Sequence, residues 1–325
     1  ISGFENINGS AFDDILTGDA ASNVINGGHG DDVISGLGGD DTYSFSDDFG
    51  NDLINEETDG GEDCLDFSGV SDDLTVTYGI DMMMISDGTY TITCSRDLVE
   101  NHIGNTGTYT IVILDGAVLD ERLEGLGSKT ILDLSAYTTA LDLILTGIGE
   151  LHGFSGITEA IPAGFTNVDE IIFSLVSGNR LTGTNANAQW VLKDNGGTYT
   201  ASGETLVFSG FANLVGGSAD DTFLITEGEV YVGSIDGGAG ENTLTYAGYT
   251  TPVKVRIRSA SDESFVGTAT GLDATFTNID YVIGNGINAE FIGADIEAVF
   301  EIGTDDRYIY QDKMLRFVGF GILTG

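Results

Sequence analysis

Short runs of alternating apolar and polar residues fill much of this 325-residue chain. Leu74, Val76 and Tyr78 alternate with Thr75 and Thr77, and Tyr90, Ile92 and Cys94 with Thr91 and Thr93. Leu141, Leu143 and Leu145 flank Asp142 and Ile144, and Val253, Val255 and Ile257 alternate with Lys254, Arg256 and Arg258. Side chains of a strand point to opposite faces in turn, so a period of two predicts strands with one buried face. Gly, Asn or Asp bounds each run, as turns require. No long helical period appears. Short strands under a long internal period predict an all-β solenoid or stacked roll. A row of β-sandwiches is the alternative, because a unit of about 110 residues is sandwich-sized.

A shorter period runs from Gly9 to Ser44. Four frames follow one another every nine residues: GSAFDDILT, GDAASNVIN, GGHGDDVIS and GLGGDDTYS. Gly9, Gly18, Gly27 and Gly36 open them; Asp14, Asn23, Asp32 and Asp41 hold the sixth position; Leu16, Ile25, Ile34 and Tyr43 hold the eighth. The apolar eighth residue suits the inside of a short strand. Glycine turns expose backbone carbonyls, and a hard dication takes about six to eight oxygens from carboxylates and carbonyls. Two frames then make one coil, with Asp14 stacked on Asp32 and Asn23 on Asp41. The expected ligands in the frames are Asp14, Asn23, Asp32 and Asp41, with Gly28, Gly30 and Gly39 contributing from the glycine turns. The Asn23 site has one charge fewer and is expected to be weaker. The plain alternative is a Gly/Asp turn without metal.

The third frame, Gly27–Ser35, matches the nonapeptide G-G-x-G-x-D-x-U-x in full. In these residues the chain resembles the calcium-binding repeat-in-toxin (RTX, haemolysin-type) family. The resemblance implies a parallel β-roll, Ca2+ as cofactor, and a chain that folds outside the cell where calcium is abundant. Residues Asp41–Val70 resemble the stretch that often comes after the repeats in such proteins. There Asp52 and Asp63 either complete a terminal site or are solvated turn residues.

Charge agrees with a cation. The chain has 52 acidic and 11 basic residues, a net charge of −41. Residues 1–66 hold seventeen acids, and no Lys or Arg precedes Arg96. Bound cations would turn that repulsion into attraction. So acidic a chain argues against nucleic acid and anionic membranes as partners. No run of eighteen apolar residues predicts a membrane span, and no leader-like start is visible. Cys64 and Cys94 are the two cysteines, either one disulfide or two buried thiols.

A longer repeat is superimposed. Ser2–Ile7 (SGFENI) recurs as Ser209–Leu214 (SGFANL) and, degenerately, as Val318–Leu323. Phe165–Asp169 (FTNVD) returns as Phe276–Asp280 (FTNID), and Trp190 as Phe300. The expected organisation is an RTX roll at 1–58, a connecting β segment at 59–123, a β repeat at 124–235 and a second, shortened copy at 236–325. Decayed frames recur as GGSADDTFL from Gly216 and GGAGENTLT from Gly237, so Asp221 and Asn242 are read as structural turn residues before ligands.

Chemistry for catalysis is sparse. His29, His102 and His152 are the only histidines, and none has triad or metal spacing. No nucleophile elbow, phosphate loop or zinc helix occurs. Solenoid polysaccharide lyases share only an architecture, and fold does not give function. The Thr-Tyr-Thr strands at 89–91, 108–110 and 198–200 lack the even spacing that an ice-binding face needs. The sequence is therefore read as a non-enzymatic, calcium-stabilised segment of a larger bacterial secreted or cell-surface protein, an adhesin, surface-layer or filament component. Homo-assembly and cell-surface or glycan contact are its expected partners besides calcium. The alternative is a non-catalytic module of a secreted enzyme or toxin.

Overall fold

A computed structural model describes residues 5–56, 61–96, 101–260 and 264–325. The beginning of the Ser2–Ile7 copy and the expected boundary between 58 and 59 lie outside these. The described residues form strands, turns and loops, with no α-helix. The chain is an all-β, parallel-rich roll of the solenoid type. It divides into two compact units, one of residues 1–137 and 160–170, the other of 138–159 and 171–325.

The first unit opens with the nonapeptide coils. Strands β1 (Asn6–Asn8), β3 (Val24–Asn26), β5 (Thr42–Ser46) and β7 (Cys64–Gly69) stack in parallel as one sheet. Strands β2 (Ile15–Thr17), β4 (Val33–Ser35) and β6 (Asn51–Ile54) stack in parallel as the other. Asn6 pairs with Val24 and Ile15 with Val33, so two frames make one eighteen-residue coil. The coil then lengthens: Val33 pairs with Leu53, and Thr42 with Cys64. The eighth-position side chains fill the space between the sheets; Ile25, Ile34 and Tyr43 are fully buried, as is Leu65 above them. Burying one such side chain contributes about 1.5–3 kcal/mol.

After β7 the coil rule changes. Strands β8 (Leu74–Tyr78), β9 (Met82–Ser86) and β10 (Thr91–Ser95) form an antiparallel meander within the second sheet. The last of them, β10, pairs in parallel with β6, behind it. The first, β8, pairs in parallel with β12 (Thr108–Ile113), ahead of it, while β11 (Asn101–Ile103) continues the first sheet on β7. The chain thus skips forward and folds back. Three antiparallel strands return the outer two to one direction, so both flanking ladders stay parallel.

The second unit repeats this device. Ala188–Lys193, Gly196–Ala201 and Glu204–Ser209 form one meander. Val299–Glu301, Asp306–Tyr310 and Lys313–Val318 form another. Their cores correspond. Trp190, Tyr199 and Phe208 sit on successive strands of the first, and Phe300, Tyr308 and Phe317 on those of the second. The Trp190 and Tyr199 rings are 4.5 Å apart, and the Phe300 and Tyr308 rings 5.0 Å. Tyr199 Oη accepts the Thr184 amide at 2.8 Å, and Tyr308 Oη accepts that of Ala294 at 2.9 Å. Asn167 and Asn278, matched in sequence, both have left-handed backbone, with φ +58° and +52°.

Cys64 and Cys94 are free thiols. Burial pushes the Cys94 thiol up to about 12.

Candidate metal centre

The sixth-position residues of successive coils form two ladders, one on each edge of the roll. On one edge Asp32 Oδ1 accepts the Asp14 N–H at 2.8 Å, and Asp52 Oδ1 accepts the Asp32 N–H at 2.9 Å. On the other, Asp41 Oδ1 accepts the Asn23 N–H at 2.7 Å, and Asp63 Oδ1 accepts the Asp41 N–H at 2.9 Å. The fifth-position residues run the opposite way. Asp31 donates its N–H to Asp13 and Asn51 to Asp31, while Glu62 donates to Asp40. The outer acids are exposed, whereas Asn23, Asp32, Asp41, Asp52 and Asp63 are all buried.

Burial leaves an unmet demand. The second carboxylate oxygens of Asp32 and Asp41 are buried and have no hydrogen-bond partner. An unsatisfied charged oxygen is costly in a protein interior. Burial, then the carboxylates of Asp63, Asp19 and Asp40, push the Asp41 carboxyl up to about 6 against the opposing Asn23 N–H. Burial likewise pushes Asp52 up to about 7, with Asp32 and Asp31 adding to it. The Asp32 carboxyl is raised as well, chiefly by burial. A hard dication answers all three, supplying charge and accepting the orphaned oxygens as ligands.

The glycines define the space. A Cβ at Gly27 would stand 2.1 Å from Asp32 Oδ2, and one at Gly36 2.0 Å from Asp41 Oδ2. First-position glycine is therefore required by the carboxylate beside it. Gly28, Gly30 and Gly39 have φ of +95°, +112° and +101°, in the turns that carry the ladders. The Gly30 carbonyl packs against Gly50 and that of Gly39 against Gly61, one coil further on.

Asp14 and Asn23 are set differently from Asp32 and Asp41. Asp14 Oδ2 accepts the N–H and hydroxyl of Ser10, and Asn23 Oδ1 accepts the Asp19 N–H at 2.9 Å. Asp63, which the sequence left between ligand and turn, is a rung of the second ladder. No nine-residue spacing leads to Glu56. It follows β6, and its Oε1 accepts the Gly36 N–H at 2.8 Å.

The second unit carries the same ladders with different chemistry. Asp221 donates its N–H to Asn242 Oδ1, and Asn242 to Asp280 Oδ2. Here the Asn242 amide donates to the carbonyls of Gly238, Ala239 and Asn278. Arg316 pairs with Glu241 at 3.0 Å. Asp221 Oδ1 is buried without a hydrogen-bond partner here too, but this stack carries an amide donor at Asn242 and a guanidinium at Arg316, while the sequence before Arg96 offers neither Lys nor Arg.

The histidines do not build a centre. His29 Nδ1 lies 2.8 Å from the Asp48 carbonyl on the surface, and burial pushes His102 down to about 4 beside Tyr109 Oη. No helix among the described residues is long and apolar enough to cross a membrane.

The family description "RTX calcium-binding nonapeptide repeat", in four copies, matches residues 8–43. The chain therefore carries an RTX array, and such repeats mark it as containing a calcium-binding structural module of the kind found in secreted proteins. No curated protein matches the chain.

Proposed function

We propose that this chain is a calcium-stabilised structural or adhesive repeat segment of a large secreted or cell-surface bacterial protein, without catalytic activity of its own. The observation that carries the reading is the contrast between the two turn stacks. The first buries Asp32 and Asp41 with an unpartnered oxygen each, in an array without Lys or Arg. The second stack also buries one unpartnered carboxylate oxygen, Asp221 Oδ1, but its turns carry the Asn242 amide donor and the Arg316–Glu241 ion pair. The balance of energies supports a bound ion. Two like charges at 4 Å cost about 4 kcal/mol at an effective dielectric near 20, more than the roughly 1.5–3 kcal/mol from one buried aliphatic side chain. Extracellular modules bind calcium with a Kd of about 10⁻⁴–10⁻³ M, a range that leaves the roll unloaded inside cells and loaded outside. An adhesive or scaffolding role suits a roll whose two sheets extend coil by coil.

The test is circular dichroism and thermal melting of the whole chain with chelator and with millimolar calcium. A metal-free chain should show two transitions, the lower from the array, and calcium should raise only the lower. Identical melts in both conditions would sink the reading.

A further inference from the structure

The nonapeptide match ends at residue 43, but acidic residues continue to converge beyond it. Carboxylate oxygens of Asp41, Glu56 and Asp63 all lie within 4.8 Å of one another. They come from three places: the fourth frame, the chain leaving β6, and the chain entering β7. The lengthened coil brings them together. Thr42 pairs with Cys64, so Asp63 stands over Asp41, while Glu56 reaches Gly36 at the head of the same frame.

Two observations go beyond a gathering of acids. Asp41 is 1% exposed, and its Oδ2 is buried with no hydrogen-bond partner, beside the two other carboxylates. The space in front of it is also kept open: a Cβ at Gly36 would meet Asp41 Oδ2 at 2.0 Å and Tyr43 Oη at 2.6 Å. The Gly36 N–H is shared between Tyr43 Oη and Glu56 Oε1, at 2.9 and 2.8 Å, which fixes both groups at the rim. Three hard oxygen ligands on a buried, anionic rim select a hard divalent cation such as calcium over a softer metal.

We infer that Asp41, Glu56 and Asp63 hold a divalent cation of calcium's class, at a site off the nonapeptide register. Glu56 and Asp63 belong to no frame, and the ion joins the last frame to the first coil that has none. It is the tie between the array and the meander after it. Loss of this ion should uncouple the two, broadening the lower thermal transition.

The experiment counts ions on the full chain. Equilibrium dialysis against calcium with metal analysis is run on the wild type, Glu56→Gln, Asp63→Asn and Asp14→Asn. Gln at 56 keeps an acceptor for the Gly36 N–H and removes only charge, so the fold should persist. Glu56→Gln should bind one calcium fewer than wild type, or bind one ion at least tenfold more weakly, and Asp63→Asn should do the same. Terbium(III) provides a second readout. Excited through tyrosine, it should luminesce in the wild type, lose intensity in Glu56→Gln, and lose intensity in Tyr43→Phe at unchanged terbium content. Wild-type stoichiometry, affinity and luminescence in Glu56→Gln would overturn the site. Asp14→Asn separates this from the array reading, because Asp14 lies on the other ladder. If only Asp14→Asn loses an ion, the array binds and this site does not exist. If only Glu56→Gln does, this site stands and the turn that Asp14 opens holds no ion.

Discussion

The carboxylate of Asp32 accepts the backbone N–H of Asp14, eighteen residues earlier, at 2.8 Å, and keeps its other oxygen buried without a partner. One half of the group serves the coil and the other half is free for an ion. Protonation serves as a substitute when no ion is present, which makes the roll sensitive to pH. Free aspartate titrates near about 3.9. Asp41 and Asp52 are raised to about 6 and about 7, chiefly by burial. The metal-free folded chain thus binds protons more tightly than the unfolded one. That stabilisation is fully present below about pH 4 and is lost as pH rises through about 6 to 7. In chelator the lower transition should melt at higher temperature at pH 5 than at pH 8. Calcium requires deprotonated ligands, so its affinity should rise across the same window. A chelated chain whose melt is flat from pH 5 to 8 contradicts the burial of these carboxyls.

Asp32→Ala should weaken calcium binding more than Asn23→Ala. Asp32 loses a charge and its free oxygen, whereas the Asn23 side chain is neutral and already accepts the Asp19 N–H at 2.9 Å. A difference of at least tenfold, about 1.4 kcal/mol, is expected. Asn23→Asp should tighten binding on the ladder it shares with Asp41. Calorimetric titration of the three variants decides, and equal losses at 23 and 32 would break the ranking.

Gly27→Ala tests the space rather than the ligands. The added methyl would stand 2.1 Å from Asp32 Oδ2, so the carboxylate must move. Calcium affinity should fall about tenfold or more although every ligand is retained. Gly147→Ala, where nothing lies within 4 Å of the new methyl, should leave affinity unchanged. Equal affinities in the two variants would show that the carboxylate has room to spare.

Much of the roll was legible because two signals share one register. An apolar residue at the eighth position and an oxygen at the sixth fix both the eighteen-residue coil and its edges, and Ile25, Ile34 and Asp32 lie where that rule puts them. The meanders were not legible. Val76, Ile85 and Ile92 are buried on successive antiparallel strands, and their period of two is the same one that parallel coils show. Periodicity gives the buried face of a strand but not the direction of its neighbour. Glu56 was hidden for a related reason. The coil grows from eighteen to twenty and then twenty-two residues, so no fixed spacing leads from Asp41 to it.

Lys254, Arg256 and Arg258 share one exposed face of the strand Lys254–Ala260. The matched strand Asp142–Ile148 carries Asp142 and Ile144 there. Lys254 reaches Glu290 at 2.7 Å, with the lysine side chain 60% exposed. Exposed pairs contribute about 0–1 kcal/mol. Reversing all three charges should therefore lower the melting temperature of the second unit by only a few degrees. If the face contacts an acidic neighbour, the reversal should also weaken self-association at low salt, read by sedimentation. Unfolding of the second unit would instead make the stripe an internal ion-pair network.

Asn242→Asp asks what the second stack uses in place of an ion. The Asn242 amide donates to the carbonyls of Ala239 and Asn278 at 3.2 Å, and to that of Gly238 at 3.4 Å. Aspartate keeps the oxygen that accepts the Asp221 N–H but replaces the donor with a second anionic oxygen. Three carbonyls would then face a carboxylate, with Asp280 accepting the N–H of the same residue. Leaving such buried groups unsatisfied costs about 1–3 kcal/mol. In chelator the upper transition should fall accordingly. The substitution also recreates the composition of the first stack, with a carboxylate at the sixth position and carbonyls around it. Millimolar calcium should then restore part of the lost stability in the variant and none in the wild type. If calcium restores nothing, the second stack lacks the carbonyl geometry of a cation site, and its amide is a structural clasp alone.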